Sequence, residues 1–299
     1  MKYSLDFDEP LAEEVRRIAS RRLTAAAELL RSRPSGLDNA IHDARRHIKQ
    51  SRALYRLIAS EARDFQKAEN IRLGDIGRRL SGMRDAKALI EATQYLKREI
   101  PSKSNGMLMD RLAKRLDQRR EDLTDRSADA AEALARAEHD LLAAAGALAD
   151  LSLPHRRRKE AACLAKGWET VGRKARAAIA AAGHEHDEAF HDLRKRTQDR
   201  WMHAALMSSL WPSAMSAIQR QGKTLSDMLG HAQDLSLLLE AVSASADIAS
   251  DAVESEAIRD AAVTQQMKLQ SECRDFAAIL FGKSKPRDGR MIVQLLRQR

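Results

Sequence analysis

From residue 11 to residue 30 the apolar side chains Leu11, Val15, Ile18, Leu23, Leu29 and Leu30 fall at intervals that place them along one side of a helix. Apolar and charged residues alternate at this spacing along the chain, and that constrains the fold more than any other feature. Amphipathic helices bury their apolar stripes against one another. With 13 Gly, 6 Pro and 4% aromatic residues, there are few turn and strand formers for a fold of many short strands. An apolar share of 43% argues against disorder, and 299 residues suffice for one large domain or two ordinary ones. The expected fold class is all-α.

The first helix is expected to start near Glu9-Pro10 and run to about Arg33, because Pro suits an opening turn and Pro34-Ser35-Gly36 ends the pattern. Asp38 or Asn39 is expected to cap the next helix, over 40–62. Further helices are expected over 67–79 and 85–100, with Gly82 between them, then a loop at 101–106 and one or two helices over 107–151. Past Pro154 the pattern predicts helices over 158–182 and 187–210, with Pro212 as a break. Stretches 213–246, which Gly222 and Gly230 can interrupt, and 250–281 follow, before a last apolar turn at 291–296. The short connections favour antiparallel bundles.

An internal repeat is visible when the halves are aligned. His42-Asp43-Ala44-Arg45-Arg46 matches His191-Asp192-Leu193-Arg194-Lys195 at an offset of 149, and Leu80, Arg84 and Asp85 meet Leu229, Gln233 and Asp234 at the same offset. Two antiparallel helical bundles, 1–153 and 154–299, related by a pseudo-twofold, are the expected organisation.

The 52 basic residues exceed the 43 acidic ones by nine. The excess is +4 over residues 1–150 and +5 over 151–299, so it is spread rather than gathered in a tail. A distributed positive excess points to an anionic partner: nucleic acid, a phosphate polymer or anionic lipid. Two cysteines, Cys163 and Cys273, neither form a disulfide framework nor match a metal-ligand spacing. No signal-peptide pattern opens the chain and no apolar run reaches membrane-spanning length, so a soluble, cytoplasmic protein without membrane insertion is expected.

On a helical wheel, HDARRHIKQSRALYR at 42–56 puts His42, Arg45, Arg46, Lys49, Arg52 and Arg56 within an arc of roughly 120°, with no carboxylate among them. Ile41, Ala44, Ile48, Leu54, Tyr55 and Ile58 lie largely opposite. Solvated helix faces usually mix signs, because like charges at these spacings repel. An unmixed arc is therefore a candidate anion site, with Arg forks and the Lys ammonium suited to phosphate oxygens. The second copy keeps His191, Arg194 and Lys195, but Gln198 and Trp201 stand where Lys49 and Arg52 stood. Trp201 is expected to pack, and Arg156, Arg157, Arg158 and Lys159 read as a solvated linker.

These residues resemble the CHAD family, the conserved histidine α-helical domain. The likeness rests on His-x-x-Arg-(Arg/Lys) at His42 and His191, and on Leu-(Ser/Gly)-x-x-(Arg/Gln)-Asp at Leu80–Asp85 and Leu229–Asp234. GWETVGRKAR at 167–176 and LFGKSKP at 280–286 add to it. The resemblance implies a helical pseudo-dimer whose basic channel or groove binds inorganic polyphosphate without catalysis, with no cofactor and no metal. Further basic clusters along the chain, Arg78, Arg79 and Arg84, then Arg173, Lys174 and Arg176, then Lys283 and Lys285, add candidate contacts. The resemblance also allows a location at polyphosphate granules. A polymer of charge without bases asks for cations rather than the aromatic platforms of single-stranded nucleic-acid sites.

Three other readings compete. A helical nucleic-acid binder satisfies the charge, but no helix-turn-helix, zinc knuckle or basic-zipper pattern is present. A phosphate-metabolising enzyme finds no P-loop and no HExxH in the chain, which leaves an accessory or regulatory module of such an enzyme as the alternative. A metal site in GHEHDEAFH at 183–191 has His184, His186 and His191 but lacks a convincing fixed third ligand, and a solvated turn fits better.

Overall fold

The computed structural model describes residues 3–81, 85–124, 127–182, 186–244, 248–282 and 287–298. Among these are eleven α-helices, one short 3₁₀ turn at Ala147–Asp150, and no strand. The helices are α1 (Leu11–Ser32), α2 (Leu37–Leu57), α3 (Arg63–Arg79), α4 (Asp85–Glu99), α5 (Lys103–Thr124) and α6 (Ser127–Gly146). They continue with α7 (Arg157–Ala181), α8 (His186–Leu206), α9 (Pro212–Ala244), α10 (Ala252–Phe281) and α11 (Arg287–Arg297). The protein is all-α, as its periodicity requires.

Most departures from the expected boundaries have local causes. Helix α2 begins three residues early because Gly36, at φ 84°, takes the N-cap position. Asp38 lies in the first turn, and Asn39 donates its side-chain amide to Ser35 O, so neither is the cap. The loop expected at 101–106 is mostly helix: Ser102 Oγ accepts from Asn105 N and α5 starts at Lys103. Pro212 opens α9 instead of breaking it, since a first-turn residue has no intrahelical use for its N–H. Gly222 and Gly230 do not interrupt α9; each admits a side chain of α8 close to the α9 backbone. Residues 157–159 form the first turn of α7 rather than a linker, and the last apolar turn is helix α11.

The buried apolar side chains form two clusters. One joins α1, α2, α3 and α6 to the start of α7, the end of α8 and α11, with Leu23, Leu54, Leu73, Leu141 and Ile292 at its centre. The other joins α4 and α5 to the end of α7, the start of α8, α9 and α10 through Leu96, Leu112, Leu193, Leu235 and Cys273. Each cluster thus draws helices from both sides of residue 153. Helix α1 packs on α2 and α6, α7 on α8 and α11, and α2 meets α8 between the clusters. One anchor of the second cluster is ionic. Buried Glu254 takes Ser250 N–H and the guanidiniums of Arg111 and Arg115 at 3.1 and 2.6 Å.

Candidate functional site

The crossing of α2 with its neighbours is fixed by close backbone approach. Gly167 of α7 sits where a β-carbon would lie within 2.7 Å of the Leu57 carbonyl carbon, so only glycine fits there. The buried His203 of α8 donates from Nε2 to Ala53 O at 2.8 Å, and burial pulls its pKa down to about 4, which keeps it neutral. With α2 held in this way, one of its faces looks onto α3 and α8 across a cleft of about 430 Å³.

Helix α2 lines the cleft with Arg45, Ile48, Lys49, Arg52 and Arg56, whose spacing keeps them on one face. Across from it α3 contributes Gly74, Gly77 and Arg78, with Ser81 just beyond, and α8 contributes His191, Arg194, Lys195, Gln198, Asp199 and Met202. Seven of these residues carry permanent positive charge, and Asp199 is the single carboxylate among the described lining residues. Among the described lining residues no aromatic side chain other than the His191 imidazole is present. Gly74 and Gly77 leave one face of α3 bare, and Arg52 Nη2 lies 3.6 Å from where a Gly74 β-carbon would be.

The cations are held in place by neutral oxygens as much as by carboxylates. Arg45 Nη1 donates to Gly77 O and, at 2.6 Å, to Ser81 Oγ. Asn70 Oδ1 accepts from both Arg52 Nε and Arg56 Nη2, each at 2.9 Å. Arg56 Nη1 reaches Asp199 Oδ1 at 2.7 Å, and Asp199 Oδ2 accepts from Arg196 at 3.3 Å. At the lip, Arg78 pairs with Asp75 and Lys195 with Asp192 at the surface, where such pairs hold little energy. His191 donates from Nδ1 to Gln233 Oε1 at 2.8 Å, which fixes the tautomer and leaves Nε2 as the other polar atom of the ring.

The charge is under-compensated. Burial, and then the neighbouring Arg56, push the Arg52 guanidinium down to about 10, and Asp199 only partly offsets this. On α7 the Lys174 ammonium is also lowered, by burial and then by Arg196, Arg173 and Arg56. A region where cations disfavour one another's charge has room for an anion.

The structure therefore brings together Arg45, Lys49, Arg52, Arg56, Arg78, His191, Arg194, Lys195 and Gln198 of the expected set. His42 and Arg46 do not line the cleft: Arg46 is exposed and close enough to Arg22 and His47 to act on both. Arg79 pairs with Asp140 of α6 instead. Arg173, Lys174 and Arg176 are on α7 outside the cleft, and Arg176 donates to Phe281 O at 3.4 Å. Arg84, Lys283 and Lys285 lie outside the described residues, as do His184 and Glu185 of the histidine-rich turn. Trp201 packs, with its Cβ 2.8 Å from the position a Gly222 β-carbon would take. Sequence reading missed Asn70, Ser81, Arg196 and Asp199; only the Gly-x-x-Gly of α3 carried a signal, since two positions without side chains leave one helix face bare beside the cleft. No group of three His, Cys, Asp or Glu among the described residues is arranged to hold a metal ion, and no described helix is long and apolar enough to cross a membrane.

The CHAD domain family model matches residues 14–243, a span that contains the whole cleft. The chain belongs to the CHAD family. No curated protein matches the sequence. Among solved structures, the fold is similar to the crystal structure of the CHAD domain from the plant Ricinus communis, with a TM-score of 0.60 over 94% of this chain and 95% of that one. The two are 16% identical, so the likeness is one of fold. It spans the helices that make the cleft.

Proposed function

We propose that this CHAD protein binds inorganic polyphosphate, without chemistry, in the cleft between α2, α3 and α8. The observation that carries the reading is the ratio of charges there: seven permanent cations around one carboxylate among the described lining residues, with the charge of Arg52 disfavoured by burial and then by Arg56. Polyphosphate supplies closely spaced anionic oxygens that pair with Arg and Lys in series. The absence of aromatic platforms among the described lining residues favours this polymer over a single-stranded nucleic acid. Gln198 adds a neutral donor. Polyphosphate granules are one location where such a site would act.

We also infer that residues 1–153 and 154–299 are two copies of one helical unit, with both copies contributing to the cleft. Helices α2 and α8, α3 and α9, and α5 and α10 start 149 residues apart. Arg45 bonds to Ser81 Oγ in one half, and in the other Arg194 lies against Gly230, each residue 149 positions later. The second copy is the weaker contributor, since Gln198 stands where the first copy has Lys49.

The test is direct binding of long-chain sodium polyphosphate, titrated calorimetrically across a tenfold range of salt. The expected result is affinity that falls steeply with salt, because each phosphate contact releases counterions, with ATP and duplex DNA competing poorly at matched charge. A flat salt response, or DNA that displaces polyphosphate at equal charge, overturns the reading. Orthophosphate release with added magnesium would show an enzyme instead.

A further inference from the structure

The cleft's one described carboxylate is not explained by a site that only gathers anions. Asp199 is buried, at 2% exposure, and divides its two oxygens between two guanidiniums. One belongs to Arg56, which lines the cleft, and the other to Arg196, which does not. Lys174 of α7 stands close enough to Arg56, Arg196 and Asp199 to feel all three charges. Cations from the cleft and from α7 thus lie within electrostatic reach of one another, with this buried carboxylate among them.

We propose that Asp199 is an internal counter-ion that occupies the place of a phosphate at the deep end of the cleft, and so ends the polyanion track at Arg56. The inference rests on the polyphosphate reading. A bound chain meets a fixed negative charge beyond Arg52, and the nearest oxygens on Arg56 Nη1 and Arg196 Nη1 are already those of Asp199. The consequence is selectivity: the site grips a short stretch of polymer between α2 and α8 and does not extend to Lys174. Arg56 does not depend on Asp199 alone for its pose, because Asn70 Oδ1 holds its other nitrogen at 2.9 Å. Removing the charge should thus release a cation to the ligand rather than disorder it.

The test uses the full-length chain with long-chain sodium polyphosphate. In Asp199→Asn an amide oxygen remains to accept from Arg56, while one negative charge leaves the ligand's vicinity. The expected result is affinity higher by roughly three- to tenfold at low salt, the scale of one charge a few ångströms away across a water-like dielectric. The dependence of log affinity on log salt should also steepen by about one, for one added phosphate contact. Asp199→Glu, which keeps the charge, should show neither change. Breaking a buried pair can unfold a protein, so helicity and melting are followed by circular dichroism, and Asp199→Ser provides a second, smaller neutral residue. A role confined to the fold would lower affinity and leave the salt slope alone, and either neutral variant behaving so overturns the proposal. If the unaltered protein shows no salt-dependent binding, the polyphosphate reading fails and this inference falls with it. If it binds but the neutral variants bind no tighter, only the counter-ion assignment is wrong.

Discussion

Arg52 is a residue whose loss should strengthen the fold and weaken the site. Its guanidinium falls from an ordinary 12.5 to about 10, chiefly through burial and then through Arg56. Holding the charged form in that environment costs at most about 3 kcal/mol on folding. Because the cleft opens to solvent, screening reduces this to about 1–2 kcal/mol. Arg52→Met keeps the stem and removes the charge, and Asn70 Oδ1 retains its bond from Arg56. The melting temperature, read by circular dichroism at low salt without ligand, should rise by roughly 2–3 °C. Polyphosphate affinity should fall by about tenfold, and the salt slope should shrink by about one for the lost contact. Added polyphosphate should then raise the melting temperature of the unaltered protein more than that of the variant, since a ligand stabilises the state it binds. A variant that melts lower and binds with an unchanged salt slope would refute the argument, because Arg52 would then be a structural residue with satisfied charge.

Other outcomes follow from the same geometry. Gly167→Ala places a β-carbon against the Leu57 backbone, so α2 and α7 must part and stability should drop by about 3 kcal/mol or more in urea unfolding, whereas Gly106→Ala, in open space, should be neutral or slightly stabilising. Acid should act in two stages. His203 is depressed to about 4 by burial, so the stability tied to its neutral form is complete above about 6.5 and is lost as pH falls through about 4. Burial would raise Glu254, but Ser250, Arg111 and Arg115 outweigh it and hold the carboxyl near 2. Its contribution is therefore complete above about 4.5 and is lost as pH falls toward 2, and melting curves of Glu254→Gln should lack that second stage. Residues 1–153 and 154–299 made as separate chains should each be poorly folded alone and should regain cooperative melting when mixed, because each apolar cluster takes helices from both.

What the sequence disclosed divides along a physical line. Periodicity is local, so helices such as α1, α7 and α10 could be placed to within a few residues, and the all-α class followed from them. Helix ends that depend on one unusual backbone angle, such as Gly36 at the start of α2, were placed less well. The cationic face of α2 was legible because Arg45, Lys49, Arg52 and Arg56 all belong to one helix and their spacing alone puts them on one side. His42 and Arg46 share the arc on a wheel, yet the cleft closes on a narrower strip of it, a width set by where α3 and α8 lie.

The partners of those cations could not be read in the same way, and the reason is distance along the chain. Asp199 lies 143 residues from Arg56, and Asn70 lies 18 residues from Arg52 on a different helix. In its own segment, Arg-Thr-Gln-Asp-Arg-Trp, Asp199 reads as an ordinary helix-surface acid paired with Arg196 three residues earlier. Only the crossing of α2 and α8, held by His203 on Ala53 O, buries it and turns it toward the cleft. A helix wheel can therefore show where positive charge accumulates but not where it is cancelled. Under the counter-ion proposal, the cancellation at this one buried carboxylate sets how far a polyanion would run toward α7.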